Sequence, residues 1–261
     1  MRLGDTMSWA APSYNDSAWS PVRVGLSSGP AIFDKYDGFA WYRFSTVIPS
    51  SLKRSPHIDD SIKFFLGKID DCDQVYLNGH ILGQNTITLA GTTAPDENFI
   101  RTNGLWQTDR AYTISVKDDR ICWDTVNIIT VRVFDQQGGG GLYGKSPYIG
   151  IVGLGDYIRF DLSKYYKVMN NDSIDRRFLV RNISPRAVYA GELSVTAERA
   201  DGQSVVFNWK TPIRLAPGDS VYVMVSLPVS TEPLNIGVTF TDDRTSLVAK
   251  DSVELLYALS P

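Results

Sequence analysis

The sequence predicts an all-β protein made of two consecutive β-sandwiches. Helical periodicity is nearly absent, short apolar or alternating runs recur along the whole chain, and Gly, Asn, Asp and Pro separate those runs. With 21 Gly, 13 Pro and 11% aromatic residues among 261, the composition favours strands and turns over helices. The length suits two domains, each able to bury its own core.

The first group of strand signals is "FAWYRFSTVI" (39–48), "SIKFFLGKI" (61–69), "DQVYLNG" (73–79), "AYTISV" (111–116), "VNIITVRVFD" (126–135) and "DYIRFDL" (156–162). Asn78-Gly79 in "VYLNGHILG" supplies the two positive-φ positions of a tight hairpin turn. The segment "KDDRICWDTVN" (117–127) has room for one helical turn, and the polar stretch from Gly83 to Asn103 reads as a long loop, functional or a lid. Polar, Asn/Asp-rich "SKYYKVMNNDSIDRR" (163–177) breaks the pattern and puts a linker at 163–174. Beyond it come "RFLVRNIS" (177–184), "GELSVTAERA" (191–200), "QSVVFNW" (203–209), "DSVYVMVSLP" (219–228), "LNIGVTFTD" (234–242) and "SLVAKDSVELLY" (246–257). These evenly spaced short strands predict an immunoglobulin-like sandwich over 175–261, without the Cys…Trp…Cys hallmark. The first module then occupies 1–162.

Charge is balanced, 26 basic against 29 acidic residues, and no basic stripe points to nucleic acid. No apolar run approaches the roughly 20 residues that span a bilayer. Cys72 and Cys122 match neither a metal nor a redox spacing, and two free thiols are favoured over a disulfide. The N-terminal "MRLGDTMSWAAPSYNDSAW" lacks a basic-then-apolar signal. The chain is therefore expected to be cytoplasmic or to have lost its targeting segment. Glycosylation triplets begin at Asn15, Asn171 and Asn182, a pattern that arises often by chance.

In "VRVFDQQGGGGLYGKS", Gly139, Gly144, Lys145 and Ser146 spell a phosphate-binding loop. Such a loop works by leading into a helix whose N-terminal N–H groups face the anion. Here "PYIGIVGLGDYIRF" follows, glycine-interrupted and β-branched, which predicts strands. The glycines instead suit a sharp turn at a sandwich rim or close approach to another chain or ligand.

The same stretch, "NIITVRVFDQQGGGGLYG", resembles the closing segment of the galactose-binding-like domains of sialate O-acetylesterases and family 2 glycoside hydrolases. "YNDSAWSPVRVG" (14–25), "YDGFAWYRFSTVIP" (36–49), "FFLGKIDDCDQVYLNGHILG" (64–83) and "DRAYTIS" (109–115) are similar to further motifs of those domains, in the same order. The resemblance spans about residues 5–162. It implies a galactose-binding-like jelly roll that is accessory to a separate catalytic domain, upstream or in trans. An immunoglobulin-like domain often follows it in family 2 glycoside hydrolases. A bacterial periplasm, cell surface or secreted location fits that architecture.

Four chemistries compete. Glycoside hydrolysis needs two opposed carboxylates, but Asp70, Asp71 and Asp73 share one bend and read as structural turn acceptors. Serine hydrolysis needs a nearby base. Ser27 in "GLSSG" and Ser220 in "PGDSV" have only His57 and His80 as partners, both distant in sequence from Ser220. The metal reading finds no zinc set and no EF-hand, since Val75 and Tyr76 stand where an oxygen ligand and glycine belong. No cofactor is expected. A structural calcium, common in jelly-roll sugar-binding domains, stays open, with Asp16, Asp34 and Asp37 on loops as carboxylate donors. The fourth reading is sugar binding without catalysis, through Trp41, Arg43, Arg101, Trp106 and Tyr143, because aromatic faces stack on sugar C–H surfaces and Arg contacts hydroxyls.

Trp41 and Arg43 share one side of a strand; a core-facing Trp41, the favoured placement, requires a buried Arg43 with a partner such as Asp135. Trp106 is the better exposed aromatic, and Tyr143 a platform inside the glycine loop. Trp9 and Trp19 are expected in the core; Trp123 and Trp209 have no partner set. The expected function is a non-catalytic module of a glycoside hydrolase or carbohydrate esterase system, contacting oligo- or polysaccharide. The alternatives are a protein-interaction scaffold at the bacterial surface, or a glycoside hydrolase fragment lacking its catalytic domain.

Overall fold

The computed structural model describes residues 1–27, 29–54, 58, 60–85, 105–162, 168–170, 173–199, 204–228, 230 and 232–255. The strands are β1 (Arg2–Leu3), β2 (Gly38–Val47), β3 (Ser61–Asp70), β4 (Cys72–Leu77), β5 (His80–Asn85), β6 (Asp109–Ser115), β7 (Val126–Asp135), β8 (Gly141–Tyr143), β9 (Tyr148–Ile151), β10 (Ile158–Asp161), β11 (Val168–Asn170), β12 (Ser173–Asn182), β13 (Tyr189–Arg199), β14 (Val205–Leu215), β15 (Ser220–Pro228), β16 (Leu234–Asp242) and β17 (Val248–Leu255). They divide between two compact units, Met1–Val152 and Gly153–Pro261.

The first unit is a β-sandwich of two antiparallel sheets. One has the order β1-β2-β7-β4-β5. In the other, β3 pairs with β6 along one edge, while β8 and β9 share its other edge. The strand period of two sends Ile129, Val131 and Val133 of β7 toward β3, where they meet Ile62, Phe64, Leu66 and Ile69 in one core. At Gly67 the β3 register shifts. Its φ is +76°, and a Cβ there would lie 2.8 Å from the Tyr143 carbonyl and 2.5 Å from that of Lys145. Glycine thus lets the chain between β8 and β9 close onto β3.

The opposite face of β7 is also buried. A 3-10 turn at Met7–Ala10 brings Trp9 over that face, and Trp9, Tyr14 and Trp19 pack with Trp41 and Tyr76 in a second cluster. The expected hairpin is present: Asn78 and Gly79 have φ of 50° and 85°. The segment 117–127 forms turns, with Asp118 N–H bonded to the Ser115 carbonyl at 3.0 Å, and no helix. Both cysteines are free thiols, Cys72 buried and Cys122 exposed.

The second unit also has two antiparallel sheets, β14-β13-β16-β17 and a sheet in which β12 pairs with β10, β11 and β15. Alternate residues are buried along β13, β16 and β15: Leu193, Val195 and Ala197 of β13, Ile236, Val238 and Phe240 of β16, and Val223, Val225 and Leu227 of β15. Pro212 lies in β14, an edge strand, where a missing N–H costs no ladder bond.

The boundary expected at 162 moves. Strand β10, assigned above to the first module, pairs with β12 of the second unit. The proposed linker 163–174 holds β11 and the start of β12, with Asn170 opposite Ser173. Asn/Asp-rich composition serves a strand pair as readily as a linker.

Candidate functional site

The sequence-derived sugar-binding residues separate into two places. Trp41 is fully buried, though outside the inter-sheet core: it stacks with Tyr76 at 5.8 Å under the N-terminal segment, and its Nε1 donates to Asp5 at 3.0 Å. Arg43 is a clamp for that segment. Its side chain is 3% exposed, pairs with Asp16 at 3.0 Å, and donates to the Trp9 and Ala11 carbonyls at 2.7 and 3.1 Å. The expected Arg43–Asp135 pair does not form. Register sets Arg43 opposite Thr130 and Asp135 opposite Gly38, and Asp135 follows the inward alternation of Val131 and Val133 on the other side of the sheet. Trp41 and Arg43 therefore leave the set of sugar-contact candidates. Arg101 lies outside the described residues.

Trp106 and Tyr143 come together at one end of the first sandwich. The Tyr143 hydroxyl donates to the Trp106 carbonyl, and Trp106 packs half-buried against Cys72, Leu105 and Phe134. Lys68 approaches the Tyr143 ring at 5.8 Å. The same end gathers the carboxylates of Asp70, Asp71 and Asp135, with one oxygen of each within 4.8 Å of the others. Asp70 ends β3, Asp71 opens the crossover to β4, and Asp135 ends β7 just before the glycine run.

Arg110, the arginine of "DRAYTIS", holds the bend in place, a role the motif did not announce. It pairs with Asp73 at 2.6 Å and donates to the Ile69 and Asp71 carbonyls at 3.0 and 2.7 Å, all of it buried. Asp73, which also accepts from Tyr112, is structural as expected. Asp71 accepts the Gln136 N–H at 3.0 Å, tying the bend to the end of β7. Gly140 lies against Asp135: a Cβ there would come 2.6 Å from the Asp135 carboxyl carbon and from Phe33.

Burial, the neighbouring Asp71 carboxyl and the charge of Asp135 push Asp70 up to about 8, against the pull of Arg110. Burial and the charges of Asp71 and Asp37 push Asp135 up to about 7. Burial and then Asp70 raise Tyr143. Raised carboxyls alone do not make a glycosidase. The two carboxylates of such an enzyme flank the scissile bond of a bound sugar, whereas Asp135 is fully buried and Asp71 nearly so.

The serine readings lack support as well. Ser27 lies in a bend and Ser220 starts β15, His80 is an exposed hairpin residue, and His57 is outside the described residues. The phosphate-loop spelling resolves into β8 and β9, and Lys145 binds Asp109 at 3.0 Å. Among the loop aspartates considered for calcium, Asp16 is paired with Arg43.

No protein-family model matches the chain, and no curated protein matches it. Solved structures do. Bacteroides uniformis beta-glucuronidase 2 superposes with TM-score 0.58 at 16% identity, covering 96% of this chain and 30% of that one. A glycosyl hydrolase family 2 member from Bacteroides cellulosilyticus gives 0.60 at 14% identity, covering 97% and 34%. Ruminococcus gnavus beta-glucuronidase gives 0.55 at 12%, covering 90% and 38%. In fold, this all-β chain is similar over nearly its whole length to about a third of a family 2 glycoside hydrolase.

Proposed function

We propose that the chain is a non-catalytic, carbohydrate-associated accessory part of a family 2 glycoside hydrolase, composed of a jelly-roll sandwich and an immunoglobulin-like sandwich. The observation that carries this reading is the coverage asymmetry: 96–97% of this chain against 30–34% of the glycosidase chains. The full burial of Asp135 supports a non-catalytic role for the trio, because a carboxylate closed off from solvent does not meet a sugar. The resemblance of the motifs around "IDDCDQVYLNG" and "VRVFDQQGGGG" points the same way. Glycan contact is assigned to the rim formed by Trp106 and Tyr143, and the location to the bacterial periplasm, cell surface or exterior.

Calorimetric titration with a panel of β-linked oligosaccharides tests this. Binding that Tyr143→Ala abolishes, with no turnover of aryl β-glycosides, is the expected result. Silence across the panel favours a scaffold that packs against another domain. Tyr222 and Met224 of β15, 53% and 67% exposed, offer an apolar surface for that role. Turnover lost in Asp70→Asn would overturn the non-catalytic reading.

A further inference from the structure

We propose that Asp70, Asp71 and Asp135 form a binding site for a hard divalent cation, calcium by size, which fastens the end of β3 to the end of β7. The site stands apart from the glycan-contact reading and from the loop aspartates Asp16, Asp34 and Asp37.

Geometry comes first. One oxygen from each carboxylate lies within 4.8 Å of the others. Calcium holds oxygens at about 2.3–2.6 Å, so ligands on opposite sides of one ion stand about 4.6–5.2 Å apart and adjacent ligands closer. The three oxygens can therefore face one common centre. They come from the two strand ends and the crossover between the sheets, so a bound ion would tie both layers of the sandwich at this rim.

The second observation is independent. Asp135 is fully buried, and neither of its carboxylate oxygens has a hydrogen-bond partner. A carboxylate out of water without partners costs several kcal/mol, so native proteins pair it, protonate it or give it a metal. Among the described residues the nearest charged and backbone donors are engaged, while the buried Tyr42 hydroxyl, close enough for Asp135 to act on it, also lacks a partner. The Gln136 N–H goes to Asp71, and the Arg110 guanidinium goes to Asp73 and four backbone carbonyls. The inward carboxylate of Asp135 thus completes the trio while, among the described residues, it accepts no hydrogen bond.

Charge balance agrees. Three carboxylates bring three negative charges, and Arg110, the cation acting on Asp70, is already paired with Asp73. A divalent ion lowers the charge of the trio from three negative to one, with exposed Asp37 the further acid acting on Asp135. Half-buried Asp70 gives the ion a path in and leaves coordination positions for water, which calcium's six to eight ligands require.

The test is calorimetric titration of chelator-treated, dialysed protein with CaCl2 at about pH 8.5, where the carboxyls are free to ionise. Thermal unfolding with and without CaCl2, MgCl2 or MnCl2 accompanies it. The expected result is one calcium per chain and a rise in Tm of about 5 °C or more at saturating ion. Asp135→Asn should unfold at or above the temperature of the metal-free wild type and show no calcium response. Asp70→Asn, at the more exposed ligand, should weaken calcium at least about tenfold, and it decides the matter if Asp135→Asn does not fold. The proposal is overturned if folded wild-type protein takes up none of the three ions at about 10 mM, or if both variants respond as the wild type does.

Discussion

Arg43 shows how one side chain can look like a ligand contact and serve as a fastener. Its guanidinium spends its donors on Asp16 and on the Trp9 and Ala11 carbonyls, closing the N-terminal segment over Trp41. A lysine keeps the charge but has no planar fork, so it cannot hold these acceptors together. Arg43→Lys should lower stability by about 2 kcal/mol, the scale of one or two charge-assisted bonds, and should speed amide exchange in residues 1–20. Unchanged exchange there would show that apolar packing of Trp9 and Trp19 alone keeps the segment down. At Gly140 the constraint is space. Ala would drive its methyl into Asp135 and Phe33, so Gly140→Ala should cost about 1–3 kcal/mol by overpacking, measured by urea unfolding.

Asn78 does the equivalent work for an element. Beyond taking positive φ in the turn between β4 and β5, its amide donates to Asn127 at 2.9 Å and to the Arg120 carbonyl at 2.8 Å, and its carbonyl accepts from Ile128 N–H at 2.8 Å. The hairpin is thereby pinned to β7 and to the turn before it. Asn78→Gly keeps the backbone conformation and removes those bonds, so it isolates their worth. A loss of about 2 kcal/mol is expected, and a loss under about 0.5 kcal/mol would leave the asparagine a turn former only. Local chemistry of this kind is what a sequence displays. The alternation in "VNIITVRVFD" and the Asn-Gly turn gave β7 and the hairpin nearly to the residue. The outer layer over Trp41 was hidden because the segment that builds it is irregular, turning through Met7–Ala10 without strand or helix periodicity. The carboxylate trio was hidden for another reason. Asp71 and Asp135 are far apart in the chain, and the hydrogen bonds from Asp71 N–H to the Phe134 carbonyl and from Gln136 N–H to Asp71, with the β4–β7 register, bring them together. Of the five sugar-contact candidates, Trp106 and Tyr143 meet because β8 pairs with β3, a pairing that no spacing rule foretells.

At the scale of the whole molecule, the trio predicts how stability follows pH. Asp70 and Asp135 are raised from 3.8 to about 8 and about 7 in the folded chain. Between those limits the native state binds more protons than the unfolded state, so stability falls as pH rises. The contribution is complete below about pH 4 and lost once pH passes about 8. Asp5 has the opposite sign: hydrogen bonds from Arg132 and Trp41 outweigh its burial and lower it, so its contribution is present above about pH 4 and lost in acid. Together these opposing slopes make the combined contribution of these three groups largest on the acid side of neutrality. Five of the six tryptophans, Trp9, Trp19, Trp41, Trp106 and Trp123, belong to the first unit, so tryptophan fluorescence during urea unfolding reports chiefly on the unit that holds the trio. In chelator, the unfolding midpoint should decline from about pH 5 to about pH 9. With calcium present the decline should vanish above neutrality, because the ion takes the place of the bound protons. A midpoint that stays level in chelator across that range would mean that Asp70 and Asp135 ionise without cost, and the fully buried Asp135 would then need a donor, for which the unpartnered Tyr42 hydroxyl is the nearby group.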